Sequence, residues 1–136
     1  MDDLIKTISS DWSGESGATV NQLRQVETAF GFKLPDDYKK VMLWSNGGEG
    51  PIGSAYLSLW ATQKIKKLNE DYQIRKYLPH MVAIGTDRGG KAFALDYSES
   101  DANPTLIQVP LGDLDVVSVT FLGRTLREWI EKELKP

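Results

Sequence analysis

Two segments leave this chain little freedom in how it can fold. In Glu27–Gly50, E-T-A-F-G-F-K-L-P-D-D-Y-K-K-V-M-L-W-S-N-G-G-E-G, Gly31 closes one helix, Pro35 opens the next and Asn46-Gly47 stops it. Proline suits a first helical position because its missing N–H has no intrahelical partner there. Glycine and asparagine tolerate the left-handed backbone that ends a helix. Further on, two apolar runs, Met81–Gly85 and Lys91–Asp96, flank Thr86-Asp87-Arg88-Gly89-Gly90. Strand, glycine-rich turn and strand make a β-hairpin. Helical periodicity early in the chain and strand patterning late in it predict an α+β fold, not a doubly wound α/β sheet.

The other elements fit that order. Asp2–Trp12 reads as a short helix with Leu4, Ile5, Ile8 and Trp12 on one face, followed by a flexible connector at Ser13–Ala18. Thr19 and Gln22 form a capping-box pattern ahead of a stripe of Val20, Leu23, Val26 and Phe30. Asp36 and Asp37 suit the positive end of the helix begun by Pro35, whose Tyr38, Val41 and Met42 face inward. Tyr56–Trp60 reads as a strand, and Thr62–Tyr72 as a helix turning Ile65, Leu68 and Tyr72 inward. Ser98–Pro104 is a polar loop, and Thr105–Pro110 and Val116–Leu122 are strands. A second capping box, Thr125 with Glu128, starts a last helix to Leu134, with Leu126, Trp129, Ile130 and Leu134 apolar. The architecture expected is N-terminal helices, a mainly antiparallel β-sheet and a C-terminal helix. Leu34, Tyr38, Met42, Ile84, Phe93, Leu95, Trp129 and Ile130 are the predicted core. What precedes the Ser13–Ala18 connector is too short to fold alone, so residues 1–136 read as a single domain.

Composition excludes several classes. A net charge of −3 gives no electrostatic case for binding nucleic acid or an anionic membrane. The chain has no cysteine, which removes disulfides and thiolate metal sites and fits a reducing compartment. The N-terminus, M-D-D-L-I-K-T-I-S-S-D-W, is acidic where a signal peptide is basic, and no run approaches the ~20 apolar residues of a membrane span. The expectation is a cytoplasmic protein, with monomer the default.

No residue pattern makes a convincing catalytic site. Asn46-Gly47-Gly48-Glu49-Gly50 follows a helix instead of preceding one and lacks a Gly-Lys-Ser/Thr ending, so helix cap and loop outweigh phosphate binding. Asp87 reads as an acceptor for backbone N–H groups in a turn whose glycines supply positive φ, ahead of a metal ligand or base. His80, the lone histidine, has neither cysteine nor a carboxylate at ligand spacing, and reads as exposed or capping. Asp36-Asp37 and Glu128 are explained by helix starts, and the tryptophans by the core. No cofactor or metal is expected. The charge layout is more informative. Ala92–Gly123 contains no Lys or Arg but holds Asp96, Glu99, Asp101, Asp113 and Asp115. Were these to converge, they would form an acidic surface for a basic protein; solvated loops are the plainer alternative. The cluster Lys64, Lys66, Lys67, Arg75 and Lys76 reads as the polar face of a helix.

Taken in order, Glu27–Phe32, L-P-D-D-Y-K at Leu34–Lys39, N-G-G at Asn46–Gly48, I-G-T-D-R-G-G-K-A-F-A-L-D at Ile84–Asp96 and T-L-R-E-W-I at Thr125–Ile130 resemble the SUKH superfamily. That superfamily includes a fungal regulator of cell-wall synthesis and many bacterial immunity proteins. The resemblance implies the same α+β fold and no family-wide catalytic chemistry. It implies a non-catalytic protein-binding domain: an immunity protein that neutralises a cognate toxin, such as a nuclease, by direct binding. The alternative it implies is a regulatory scaffold like the fungal relatives.

Overall fold

The computed structural model describes residues 3–135. Met1, Asp2 and Pro136, and with them the expected helix start at Asp2, lie outside the described residues. Three helices come first: α1 (Asp3–Ser9), α2 (Val20–Phe30) and α3 (Asp36–Trp44). Strands β1 (Gly48–Ile52) and β2 (Ala55–Leu59) follow, then helices α4 (Thr62–Asp71) and α5 (Ile74–Tyr77). Strands β3 (Met81–Thr86), β4 (Lys91–Asp96), β5 (Thr105–Pro110) and β6 (Thr120–Gly123) lead to α6 (Leu126–Glu133). All six strands form one antiparallel sheet in sequence order. Every neighbouring pair is antiparallel, including β2 and β3, which two helices separate in the chain, so the α+β expectation holds.

Period-two alternation along the central strands builds a core on each face of the sheet. Val82, Ile84, Phe93, Leu95 and Leu106 point to one side, where they meet Leu23, Tyr38, Met42, Trp129 and Ile130 from the helices. Met81, Ala83, Ala92, Ala94, Ile107 and Val109 point to the other, under Ile74 and Leu78 from α5 and its C-terminal end. All eight predicted core residues are buried, and the Leu, Ile, Met and Phe side chains among them each contribute roughly 1.5–3 kcal/mol by leaving water. Trp129 lies tilted on Phe93 with ring centroids 5.0 Å apart.

The helix ends follow local chemistry. Thr19 Oγ1 accepts from Gln22 N–H, and Gln22 Oε1 accepts from Thr19 N–H, closing the expected capping box. Gly31 ends α2 at φ 77°. The second box closes one residue early. Thr125 Oγ1 accepts from Glu128 N–H as expected, but Glu128 Oε2 reaches Arg124 N–H instead of Thr125. Pro35 is the N-cap of α3, so the helix proper starts at Asp36. Asp37 joins two helices, accepting from Tyr38 N–H at 2.7 Å and from Arg127 N–H at 2.9 Å.

Several expectations need correction. Helix α3 ends at Ser45, in an extended conformation, before Asn46-Gly47 is reached; of that pair only Gly47 takes a positive φ, 85°. The Ser45 hydroxyl is buried, donates to Gly47 C=O and accepts from Glu15 N–H. Asn46 serves the next helix, its Oδ1 accepting from Thr62 N–H at 2.8 Å. The glycine run read as a loop becomes edge strand β1. Glycine disfavours strands, but here the N-terminal connector crosses too closely for a side chain: a Cβ on Gly50 would lie 2.7 Å from Asp11 O. Pro51 is tolerated because β1 is an edge. Val116–Leu122 is not one strand. Asp115 Oδ1 captures Val117 N–H, one turn of 3-10 helix follows at Val116–Ser118, and β6 starts only at Thr120. Such a local side-chain bond competes with the ladder. Trp12 lies beyond the end of α1, its indole N–H directed at Ser45 Oγ at 3.4 Å. Val20 and Leu134 are exposed, not part of their helices' buried stripes.

The inner face of α4 is also rotated from the expected one. Thr62, Ile65 and Asn69 are buried, while Tyr72 is exposed. The cause lies in the sheet. β2 pairs with β3 only at Ser58↔Thr86 and Leu59↔Gly85, next to a register shift between Ala83 and Gly85. Asn69 takes over where the ladder stops. Its Nδ2 donates to Ala83 C=O at 2.9 Å and Ile65 C=O at 2.8 Å, and its Oδ1 accepts from Ala83 N–H at 2.8 Å.

Candidate functional site

Connector 111–119 folds back beside the sheet after β5, and β6 then pairs with β5 at Ile107↔Phe121 and Gln108↔Thr120. Leu111, Leu114 and Val119 from this connector pack on the Ile107–Val109 face. Between the connector, β6 and the adjoining ends of β3 and β4 lies a groove of about 420 Å³. Met81, Ile107, Val119 and Phe121 give it an apolar lining, and Asp96, Glu99 and Arg124 give it charge. Its rim is unusually apolar: Val116 is 68% exposed, Val117 87% and Phe121 56%. A monomer seldom leaves apolar side chains grouped in water without a use for them.

The expected acidic residues divide into three placements. Asp96 and Glu99 line the groove. Asp96 is half-buried, and its Oδ1 accepts from Ser98 N–H. Asp113 and Asp115 lie on the connector just ahead of Val116 and Val117, Asp113 Oδ2 accepting from Ser118 Oγ and Asp115 Oδ1 from Val117 N–H. Both are exposed and do not line the groove. Asp101 is exposed on the 98–104 loop and does not line it either, although Asn103 does. The fold also brings in Arg124, one residue beyond the cation-free segment, so the groove is not uniformly negative.

Sequence reading missed the apolar rim. Treating Val116–Leu122 as one strand sends alternate side chains inward and hides Val116 and Val117 as neighbours. The available signal was the Val-Val pair held between Asp115 and Ser118, an arrangement suited to a side-chain-capped turn.

The other candidates have structural roles. Asp87 Oδ1 accepts from Gly89 N–H at 2.7 Å and Lys91 N–H at 3.0 Å, as expected of a turn. The positive-φ residues there are Arg88 and Gly90, not Gly89. His80 is exposed at the groove, and its carbonyl accepts from Tyr97 N–H. Among the described residues, no three His, Asp or Glu side chains lie close enough to hold a metal ion. Glu49 on β1 accepts from the Arg88 guanidinium and from the Tyr56 hydroxyl at 2.6 Å. The Arg88 bond first, then the Tyr56 bond, holds its carboxyl below the usual range. The Tyr38 hydroxyl is buried without a partner, and burial pushes its pKa up. On the basic helix face, Lys66 and Lys67 pair with Glu70 and Asp71 one turn on, and the Arg75 guanidinium lies over Phe30 and Phe32. A second groove, of about 550 Å³, lies beside the first and includes Lys33, Lys39, Arg124 and Arg127 among its lining.

The model of the SMI1/KNR4 family (SUKH-1) matches residues 17–132. The chain belongs to the SMI1/KNR4 family. The matched segment of this SMI1/KNR4 domain takes in all six strands, helices α2 to α5, most of α6 and every residue lining the apolar groove. No curated protein matches the chain at a significant level. No helix is long and apolar enough to cross a membrane among the described residues.

Proposed function

We propose that this SMI1/KNR4 domain is a non-catalytic protein-binding module, and within that class a cytoplasmic immunity protein that neutralises a basic toxin, such as a nuclease, by covering its active cleft. One observation carries the reading. Val116, Val117 and Phe121 are exposed together beside a groove lined by Asp96 and Glu99, with Asp113 and Asp115 on the same connector. Exposed apolar side chains beside charged ones suit a protein interface, where the apolar part supplies contact area and the charges supply steering. Occlusion needs no chemistry from this chain; it needs a rigid face and about 1,600 Å² of total buried area. The acids would attract a cationic cleft from a distance, and the apolar patch would hold it once docked. A second reading, a scaffold with several partners, draws on the adjacent groove with its basic residues Lys33, Lys39, Arg124 and Arg127.

The test is to mix the purified chain with the toxin encoded beside it. The expected result is a one-to-one complex and loss of toxin activity. Replacing Glu99, Asp101, Asp113 and Asp115 with the corresponding amides leaves the fold intact, slows association at low salt and flattens its dependence on ionic strength. Equal rates with equal salt dependence would place recognition elsewhere. Full toxin activity at equimolar chain would end the immunity reading.

A further inference from the structure

The two edges of the sheet are treated differently. Edge strand β1 is closed by the chain itself: Ser13 N–H donates to Glu49 C=O at 2.8 Å and Glu49 N–H to Ser13 C=O at 2.9 Å. Edge strand β6 pairs only with β5, and among the described residues no strand lies on its other side. An open edge is a template for another chain, and proteins usually guard it with a charge or a proline. β6 reads Thr-Phe-Leu-Gly and has neither. Its exposed Phe121 and the neighbouring Val116 line the groove that Asp96 and Glu99 also line.

We infer that β6 is a docking edge for an extended segment of a basic partner protein, which adds as a seventh strand and seats an apolar side chain against Val116, Val119 and Phe121, its neighbouring Lys or Arg side chains drawn toward the groove that Asp96 and Glu99 make acidic. Alternation along a strand places every second side chain on the groove face. The register therefore calls for apolar and basic residues two apart on that face. Charge decides against a second copy of this chain as the occupant. A second copy carries the same net charge of −3 and the same Asp113 and Asp115 on the connector leading into β6, a like-charge arrangement that disfavours association. This inference rests on the protein-binding reading and specifies its site and the partner's chemistry.

The experiment uses the full chain and an array of decapeptides with Val, Leu or Phe at every third or every second position and Lys, Arg, Glu or Ser elsewhere. Bound peptides are expected to be enriched in Lys and Arg, and methylating alternate backbone nitrogens of the tightest one should abolish binding in one register and spare it in the other. F121K and V116K are expected to weaken that peptide by roughly tenfold or more; Val116 is 68% exposed, so V116K leaves the core untouched. Enrichment in Glu, indifference to backbone methylation, or unchanged affinity in both variants overturns the inference. So does a concentration-dependent dimer that F121K dissolves, because the occupant is then a second copy. Should the toxin bind F121K and V116K as tightly as the unmodified chain, the edge is wrong while the protein-binding reading stands. If neither array nor toxin binds, both fail.

Discussion

Replacing Asn69 with leucine tests the least expected contact in the fold. Asn69 is 3% exposed, and its amide makes three hydrogen bonds of 2.8–2.9 Å to Ala83 and Ile65. Leucine has almost the same shape but neither donor nor acceptor. The Ala83 N–H and C=O then stay buried where β2 no longer pairs with β3. A buried group stripped of its partner costs about 1–3 kcal/mol. Ile65 C=O lies within α4 and keeps its helical role. Two orphaned groups, less the gain from burying an apolar side chain, give a net loss of about 2–4 kcal/mol. For a domain of this size that is a fall of roughly 6–14 °C in Tm. Urea unfolding at pH 7 measures the first quantity and calorimetry the second. Asn69→Asp supplies an internal check. Its carboxylate still accepts from Ala83 N–H but faces two carbonyl oxygens, so burial and repulsion raise its folded pKa above the unfolded value. A raised pKa means the protonated form fits the site better, and the deficit of N69D relative to the unmodified chain shrinks as pH falls through the folded pKa. If N69L lies within about 0.5 kcal/mol of the unmodified chain, or the N69D deficit grows with acid, Asn69 is not replacing the missing strand.

Two further expectations concern the β3–β4 hairpin and its neighbours. Gly90 has φ 98°, so G90A is expected to cost about 1–2 kcal/mol in denaturant unfolding; Gly89 is not in the positive-φ region, so G89A is expected to stay within about 0.5 kcal/mol, and equal effects would refute the turn assignment. Glu49 has a folded pKa below its ordinary value, chiefly through Arg88. Its stabilising contribution is therefore fully present above the unfolded value and is lost as pH falls through the folded one. Thermal melts from pH 7 to pH 3 should show the advantage of the unmodified chain over E49Q shrinking at the acid end; a gap that does not change with pH would mean that the charge on Glu49 adds nothing to stability.

The α+β class, both capped helix starts, the central hairpin and the core from Leu34 to Ile130 were legible in the sequence because each depends on neighbours within a few residues. Thr19 with Gln22, Gly31 after Phe30 and the alternation in Lys91–Asp96 act over one helical turn or one strand. The acidic segment was also legible as composition. Its distribution was not: Asp96 and Glu99 enter the groove, Asp113 and Asp115 sit on the connector and Asp101 stands apart, because strand pairing sets which loop ends meet. Only tertiary structure could make Gly48–Ile52 a strand, since the backbone of Asp11 and Ser13 crossing over it is what requires glycine there. Only it could turn Asn69 inward, because the demand comes from an unfinished ladder 14 residues away. The same limit hid the apolar rim. Val116, Val117 and Phe121 look like strand residues in sequence, and become an exposed surface because Asp115 breaks the strand and, among the described residues, no seventh strand lies beside β6. Local patterns fix elements through short-range bonds; which edges stay open is decided by contacts between segments far apart in the chain.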